Sequence, residues 1–532
     1  MLRKILKKLR LGQLLKQNYG KESPGEQNLE KSGLSLNLAD NLVLLRNIFG
    51  KNADFVLREF NFGEEEKMQA ALLYFDGLVD KRIVNESVIR PLMYDSRFFA
   101  PRELKRAQKM EYLQEKMVAV GGVKVVTTID ELLDNCLYGD TILLIDGFAE
   151  ALSLNTKGWV NRGVEEPKTE AVVRGPREGF TETLGLNTSL LRRKICHPDL
   201  IIEGVQLGEK TKTKVCLAYL KGVVSADLLK EVKTRLQRIE TDAILESGYL
   251  EEFIEDAPYS PFATVANSER PDNVAAKILE GRVAILVDGT PMVLTVPMLL
   301  AESFQSPEDY YSRPYYVSFV RTLRYLSFFI TITAPAIYVA LTTFHQELLP
   351  TPLLMTMAAA REGTPFPALV EAIIMMIIFE ILREAGIRLP RPIGSAISIV
   401  GALVIGEAAV SAGLVGAPMI IVISLTAIAS FVVSAQADAA TILRLFLMIV
   451  TGFMGAFGFF VFLLALLIHL AALRSFGVPY FAPFAPLNLQ GLKDTIIRVP
   501  MWAMLTRPQL NNHNNRKRVK FGLIPRPPRK ET

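Results

Sequence analysis

The chain has 532 residues, half of them hydrophobic, and a formal net charge of +5, a length that suggests two to four domains. From Arg321 onward, 212 residues carry 18 basic and 9 acidic side chains, whereas the 320 residues before them carry 42 and 46. The two parts sum to +9 and −4, so no broad basic face exists and nucleic acid is excluded as a partner. A soluble region precedes a membrane-embedded one.

Residues 1–17 form a short basic amphipathic pattern without the apolar core or cleavage site of a signal peptide. A helix on an anionic membrane surface and a solvated tail are both open readings. With no signal, the soluble region is expected in the cytoplasm. Cys136, Cys196 and Cys216 all fall in it, without paired spacing. They fit a reducing compartment and read as small buried hydrophobes.

Residues 18–40 are polar and read as a linker, and a repeat follows. Asp54 to Gly77 aligns without gaps to Asp199 to Gly222, 145 residues later, with seven of 24 positions identical, among them Gly63/Gly208, Tyr74/Tyr219 and Gly77/Gly222. A second block, GDTILLIDG from Gly139, matches GRVAILVDG from Gly281. Each copy reads as strand, glycine turn, strand, helix, then a buried strand ending in Asp-Gly. The expected fold is an α/β cytoplasmic region of two similar tandem subdomains, followed by an all-α multi-spanning membrane domain. The expected boundaries are 1–40 for the basic helix and linker, 41–160 for subdomain 1, 161–195 for a connector, 196–305 for subdomain 2, 306–505 for the membrane domain and 506–532 for a basic cytoplasmic tail.

Neither copy carries a phosphate-binding glycine loop, a nucleophile elbow or a His/Cys cluster. Asp146-Gly147 and Asp288-Gly289 read as strand-ending turns rather than a metal or aspartyl site. The connector, with Arg174, Arg177 and Glu178 near its glycines, is either an ion-paired linker or a switch that docks a partner.

From Tyr325 the pattern changes. Tyr325 to Gln346 has no formal charge, and Pro335 within it suggests a kink. Phe366 to Leu382 is interrupted by Glu371 and Glu380, residues 393–437 hold Glu407 as their single charge, and Leu445 to Leu473 hold only His469. Arginines before the first run and after the second place the soluble region in the cytoplasm. The basic tail from Arg507 belongs there too, which requires an even number of crossings. A simple count gives five, so either 393–437 crosses unusually or the Pro-rich stretch Tyr480 to Pro500 returns through the membrane.

A charge at the centre of a membrane helix costs about 2.5–3.5 kcal/mol on the insertion scale, so each needs a reason. Glu407, in a run of small residues suited to close helix approach, either lines an aqueous path or pairs with Arg444 or a backbone donor. Glu371 is expected in the first turn of its helix, at the positive dipole end. Glu380, Arg383 and Glu384 share a face as an ion-pair cluster. Asp438 and Arg444 bracket a polar break, either a loop or a gate. Gly452, Gly455 and Gly458 read as a packing face.

These stretches taken together resemble a known family. VRGPREGFTE (Val173 to Glu182), SPEDYYSRPY (Ser306 to Tyr315) with the following VRTLRY, FEILREAGIRLPRPIG (Phe379 to Gly394), VIGEAAVSAGLV (Val404 to Val415), LTAIASF (Leu425 to Phe431) and DTIIRVPMW (Asp494 to Trp502) are similar to the A subunit of GerA-type spore germinant receptors. The sequence carries no HExxH, no intramembrane Ser/Lys or Asp/Asp protease pattern and no ligand-spaced His group, so no enzymatic activity, cofactor or metal is expected; the resemblance implies a membrane protein of the spore inner membrane. It also implies a transporter-like B subunit and a lipoprotein C subunit as partners, and a homo-oligomer around an ion path. On that view Glu407 is the preferred path residue, with Glu371 and Glu380 secondary. The family's stretch carries an acid where this chain has Met376, a departure that bears on charge selectivity. A non-conducting scaffold and a secondary transporter with its site at broken helices are the alternatives.

Overall fold

The computed structural model describes residues 33–63, 68–95, 118–158, 166–167, 170–388, 406–489, 491–507 and 518. Two compact units form: residues 1–161 with 188–202, and residues 162–187 with 203–532.

In the first unit, helix α1 (Leu38–Phe49) precedes strands β1 (Phe55–Phe62) and β2 (Met68–Phe75); β3 (Val123–Val126), helix α2 (Ile129–Leu137), β4 (Thr141–Ile145) and β5 (Ala151–Leu154) follow. The antiparallel sheet has the order β1-β2-β4-β5-β3. Strand β2 is apolar at nearly every position because both its faces are covered. Ala71, Leu73 and Phe75 meet Leu38, Leu42 and Phe49 of α1, while Ala70 and Leu72 face Val84, Val88 and Leu92. Burying such side chains contributes about 1.5–3 kcal/mol each. Arg192 forks onto Asp54, donates to Asn52 at 2.9 Å and lies over the Phe75 ring.

The second sheet repeats the first. Helix α3 (Leu184–Lys194) precedes β6 (Leu200–Leu207) and β7 (Thr213–Leu220); then come α4 (Ala226–Gln237), α5 (Ser247–Ile254), β8 (Ala266–Ser268), α6 (Pro271–Leu279), β9 (Val283–Val287) and β10 (Val293–Val296), in the order β6-β7-β9-β10-β8. Even the register is kept: Ala70 opposes Ile145, and their counterparts Val215 and Val287 oppose each other. The repeat also reaches further back than the sequence suggests. Residues 184–194 of the expected connector are helix α3, the counterpart of α1. The N–H of Leu38 donates to Asp146 Oδ1 at 3.1 Å, and that of Leu184 to Asp288 Oδ1 at 3.1 Å. The Asp-Gly turns therefore also hold the start of each copy's first helix, where a carboxylate meets the positive end of the dipole.

Helix α5 turns Leu250 and Ile254 inward and gathers Glu251, Glu252 and Glu255. Burial, reinforced by Glu255, Glu246 and Glu252, pushes Glu251 up to about 7. A carboxyl group raised in the fold stabilises it while protonated, so stability should fall as pH rises from about 5 to about 8 and then level off. Glu251→Gln is expected to flatten that part of the pH profile in thermal melts of the full chain.

The long helices that follow among the described residues are α7 (Pro314–Thr343), α8 (Thr351–Arg361), α9 (Ala368–Arg388), α10 (Ala417–Val432) and α11 (Ala437–Ala472). By length and composition α7 and α11 are apolar enough to cross a membrane; α10 is shorter, at 16 residues. Helix α7 continues through Pro335 as one element.

Helix α11 is not one rod. A straight helix of its 36 residues would be about 54 Å long, yet both ends meet the second lobe. Gln436 donates to Ser303 at 2.7 Å, and His469 bonds Ser260 at 2.9 Å. The interruption is Gly455, at φ +60° and ψ −145°. Beyond it the chain runs back on itself: a Cβ on Gly458 would sit 2.8 Å from the carbonyl oxygen of Val450, eight residues earlier. Along a continuous helix those positions lie about 12 Å apart. The uncharged run Leu445 to Leu473 thus contains a chain reversal, and the glycines at 452, 455 and 458 are not a single packing face.

The Pro-rich stretch after Tyr480 forms no spanning helix among its described residues; it consists of turns and short 3₁₀ segments. It packs on the second lobe, where Leu300 N–H donates to the Tyr480 carbonyl at 3.0 Å.

Candidate functional site

The apolar helical region holds few charges, and the packing divides them into two groups. The first group is paired within the chain. Arg444 of α11 is buried and donates to Glu380 of α9 at 2.7 Å; Glu380 also pairs with Arg383 at 2.8 Å and accepts from Thr441 at 3.4 Å. Arg444 therefore pairs with Glu380 and not with Glu407. Glu384 turns to exposed Arg388 at 2.5 Å instead of completing the expected cluster. Met376, one turn before Glu380, is buried among apolar side chains. Glu371 sits in the first turn of α9 and is fully buried, accepting from Thr364 at 3.1 Å and from the N–H of Gly416 at 3.4 Å, with Arg361 at 3.7 Å. It thus touches the N-terminus of a second helix, α10, as well as its own.

The second group faces outward. Glu407 lies in the helical residues 406–411 and is exposed, and among the described residues no hydrogen bond or ion pair reaches it. Asp438, in the first turn of α11, is also exposed. An ionised carboxylate on the outer face of an apolar helix is stable only against water or another chain.

In the loop before α3, Val173, Arg174 and Arg177 are exposed and Glu178 is half-buried; Arg177 stands 4.0 Å from Glu166. The loop is held from beneath by fully buried Arg270, which donates to the carbonyls of Glu170 at 3.1 Å and Pro176 at 2.8 Å. Gly175 lies so close to Tyr311 that a Cβ would come within 2.8 Å of the ring.

A polar cavity of about 350 Å³ lies beside β8, lined by Glu170, Asn273, Lys277, Glu302, Arg324 and Val432 among others. Lys277 lies 3.5 Å from Glu302, which also pairs with buried Arg282. Burial holds Lys277 below the usual lysine range despite Glu302. Burial alone would raise Glu302, but Arg282 and Lys277 outweigh it and keep the group below the usual carboxylate range.

A family model of the Bacillus/Clostridium GerA spore germination protein matches residues 43–510. The chain belongs to the GerA family. Among its relatives, spore germination protein KA of Bacillus subtilis (strain 168) is 47% identical over 478 residues, covering 90% of this chain and 87% of that one. Spore germination protein B1 of the same organism is 41% identical, with 89% and 97% covered. Spore germination protein GerLA of Bacillus cereus is 38% identical, with 89% and 95% covered. A solved structure, the N-terminal domain of the A subunit of the Bacillus megaterium spore germinant receptor GerK3, is 36% identical and covers 51% of this chain and 98% of that one, with a TM-score of 0.41.

In this GerA-family chain, sequence spacing left one buried constellation unseen. Arg321 of α7 is fully buried and pairs with Asp309 at 2.8 Å and Asp494 at 2.9 Å. Asp309 also takes Arg324 at 2.9 Å, and Asp494 accepts from the Tyr310 hydroxyl at 2.7 Å. Arg498 donates to the carbonyls of Ser312 at 3.0 Å and Tyr310 at 3.2 Å. The SPEDYY and DTIIR stretches, far apart in sequence, thus close on one arginine. Two charged motifs flanking an uncharged region were the signal available for it.

Proposed function

We propose that this GerA-family chain is the A subunit of a nutrient germinant receptor in the inner membrane of the spore. In this reading it works with a transporter-like B subunit and a lipoprotein C subunit. Copies of the chain surround a cation path that opens when germinant binds elsewhere in the receptor. The observation that carries the proposal is Glu407, exposed and without a partner among the described residues of an otherwise apolar helical region. Glu371 and Glu380, satisfied inside the chain, hold helices together. Across an oligomer, exposed Glu407 residues would line a common aqueous path, and Asp438 would stand at its cytoplasmic end.

The reversal at Gly455 supports a multi-spanning topology with both ends of the chain in the cytoplasm. Its halves, 437–454 and 456–472, have 18 and 17 residues, each near the lower limit of about 17 for a crossing. With the two spans expected from the sequence of 393–437, of which residues 393–405 lie outside the described residues, α7, α9 and these two halves make an even number, as the basic tail requires.

Ion flux through proteoliposomes holding the chain tests the proposal. Glu407→Gln is expected to reduce cation flux while oligomers persist in the bilayer; unchanged flux would count against it. A non-conducting scaffold is the second reading, favoured by one observation: Glu371 and the Glu380–Arg444 pair already have structural roles. That reading predicts no flux from either protein.

A further inference from the structure

Helix α5 has a core face, an acidic face and a third face that the second lobe leaves uncovered. Tyr249 and Phe253, four residues apart and so on one side of the helix, are 48% and 54% exposed; Leu245, in the extended segment before the helix, is 63% exposed, and Tyr259 beyond the helix is 100% exposed. Large apolar side chains grouped this way on a soluble surface call for an occupant.

The position of the group identifies that occupant. Ser260, next to Tyr259, bonds His469 in the last turn of α11 at 2.9 Å, and Asp256 accepts the N–H of Phe476, just past the end of α11, at 2.6 Å. The ring of Phe262 lies 6.2 Å from that of His469. One turn back along α11, Leu464, Leu467 and Ile468 point outward, each more than half exposed. The outer apolar surface of α11 therefore ends beside Tyr259, where a crossing helix leaves the hydrocarbon. Tyrosine and other amphipathic rings concentrate at that level of a bilayer.

We propose that the stripe formed by Leu245, Tyr249, Phe253 and Tyr259 rests in the headgroup layer of the bilayer that α11 crosses, so that the second lobe is docked on lipid through α5. This rests on the reading of α11 as membrane-crossing. Contact is by apolar and aromatic insertion, because the neighbouring Glu252 and Glu255 offer no attraction to anionic lipid. The lobe would then sit flat on the membrane from which α7 and α11 emerge.

Tryptophan reporters in the full chain test this, with Trp159 and Trp502 replaced by phenylalanine. Phe253→Trp and Tyr259→Trp are reconstituted singly in phosphatidylcholine vesicles with bromines on either the upper or the lower part of the acyl chain, and Leu464→Trp serves as the reporter for α11 itself. Both lobe reporters are expected to lose emission to shallow bromines, and Leu464→Trp to deeper ones. Quenching of Leu464→Trp alone would overturn the proposal while leaving α11 in the bilayer; blue-shifted but unquenched lobe reporters would assign the stripe to a second copy of the chain. If none of the three is quenched, the membrane reading of α11 fails and the proposal falls with it.

Discussion

Gly455→Val is expected to unfold the apolar helical part. The backbone there lies at φ +60° and ψ −145°, a region that side-chain-bearing residues occupy at a cost of about 1–3 kcal/mol. Space is also lacking, since a Cβ would lie 3.0 Å from Phe344 Cγ and 3.3 Å from His345 Nε2. That histidine nitrogen accepts the N–H of Ala456 at 3.2 Å, fixing the first residue after the reversal. Overpacking of this kind adds about 1–3 kcal/mol, so the sum of about 2–6 kcal/mol is enough to unfold a domain at the low end of the usual range of about 5–15 kcal/mol. Gly452→Ala is the control. The three atoms nearest its Cβ, at 2.5 to 3.0 Å, all belong to the side chain of Leu369 and none to the backbone, so a rotation of that side chain relieves them. Purified detergent-solubilised protein should be recovered and melt cooperatively for Gly452→Ala and not for Gly455→Val. Equal recovery would mean that the reversal at 455 is dispensable.

Arg321→Ala is expected to be the most damaging single change among the charged residues. It removes a fully buried guanidinium that serves Asp309, Asp494 and the carbonyls of Asp494 and Thr495. Removing one partner of a buried pair costs about 3–5 kcal/mol, because the remaining charges stay buried without compensation. Arg324→Ala should cost far less. Arg324 is 17% exposed, and Asp309 keeps Arg321 when it is lost. Lysine at 321 should not rescue, since a single ammonium cannot reproduce the planar fork that reaches both carboxylates. Thermal melts and protease cleavage near 494–503 read the difference. Equal effects of Arg321→Ala and Arg324→Ala would show that the two are interchangeable partners of Asp309.

The α/β part was legible because its information is periodic. Repeated glycines at the turn positions and apolar strands at a constant offset carry over directly into two sheets of the same order and register. The first helix of each copy escaped notice because its equivalence lies in polar contacts. Asn41 exchanges hydrogen bonds with Ser35, and Asn187 with Thr181, and such pairs leave no hydropathy signal. The helical part was harder for a related reason. Nothing polar marks the reversal at Gly455, so an uncharged run reads as a single span. The choice of partner for Arg444 is likewise a matter of packing, since Glu380 is 64 residues away and Glu407 is nearer in sequence. Spacing does reveal which few charges the apolar helical part contains, and the fold then separates those it pairs from those it leaves outward.

If Glu407 faces a cation path, its charge sets which ions pass. The reversal potential of the reconstituted chain in a potassium chloride gradient, compared with that of Glu407→Lys, tests it most directly. A cation-selective wild type is expected, with the reversal potential of the variant shifted toward that of chloride. The same reversal potential for both would contradict it.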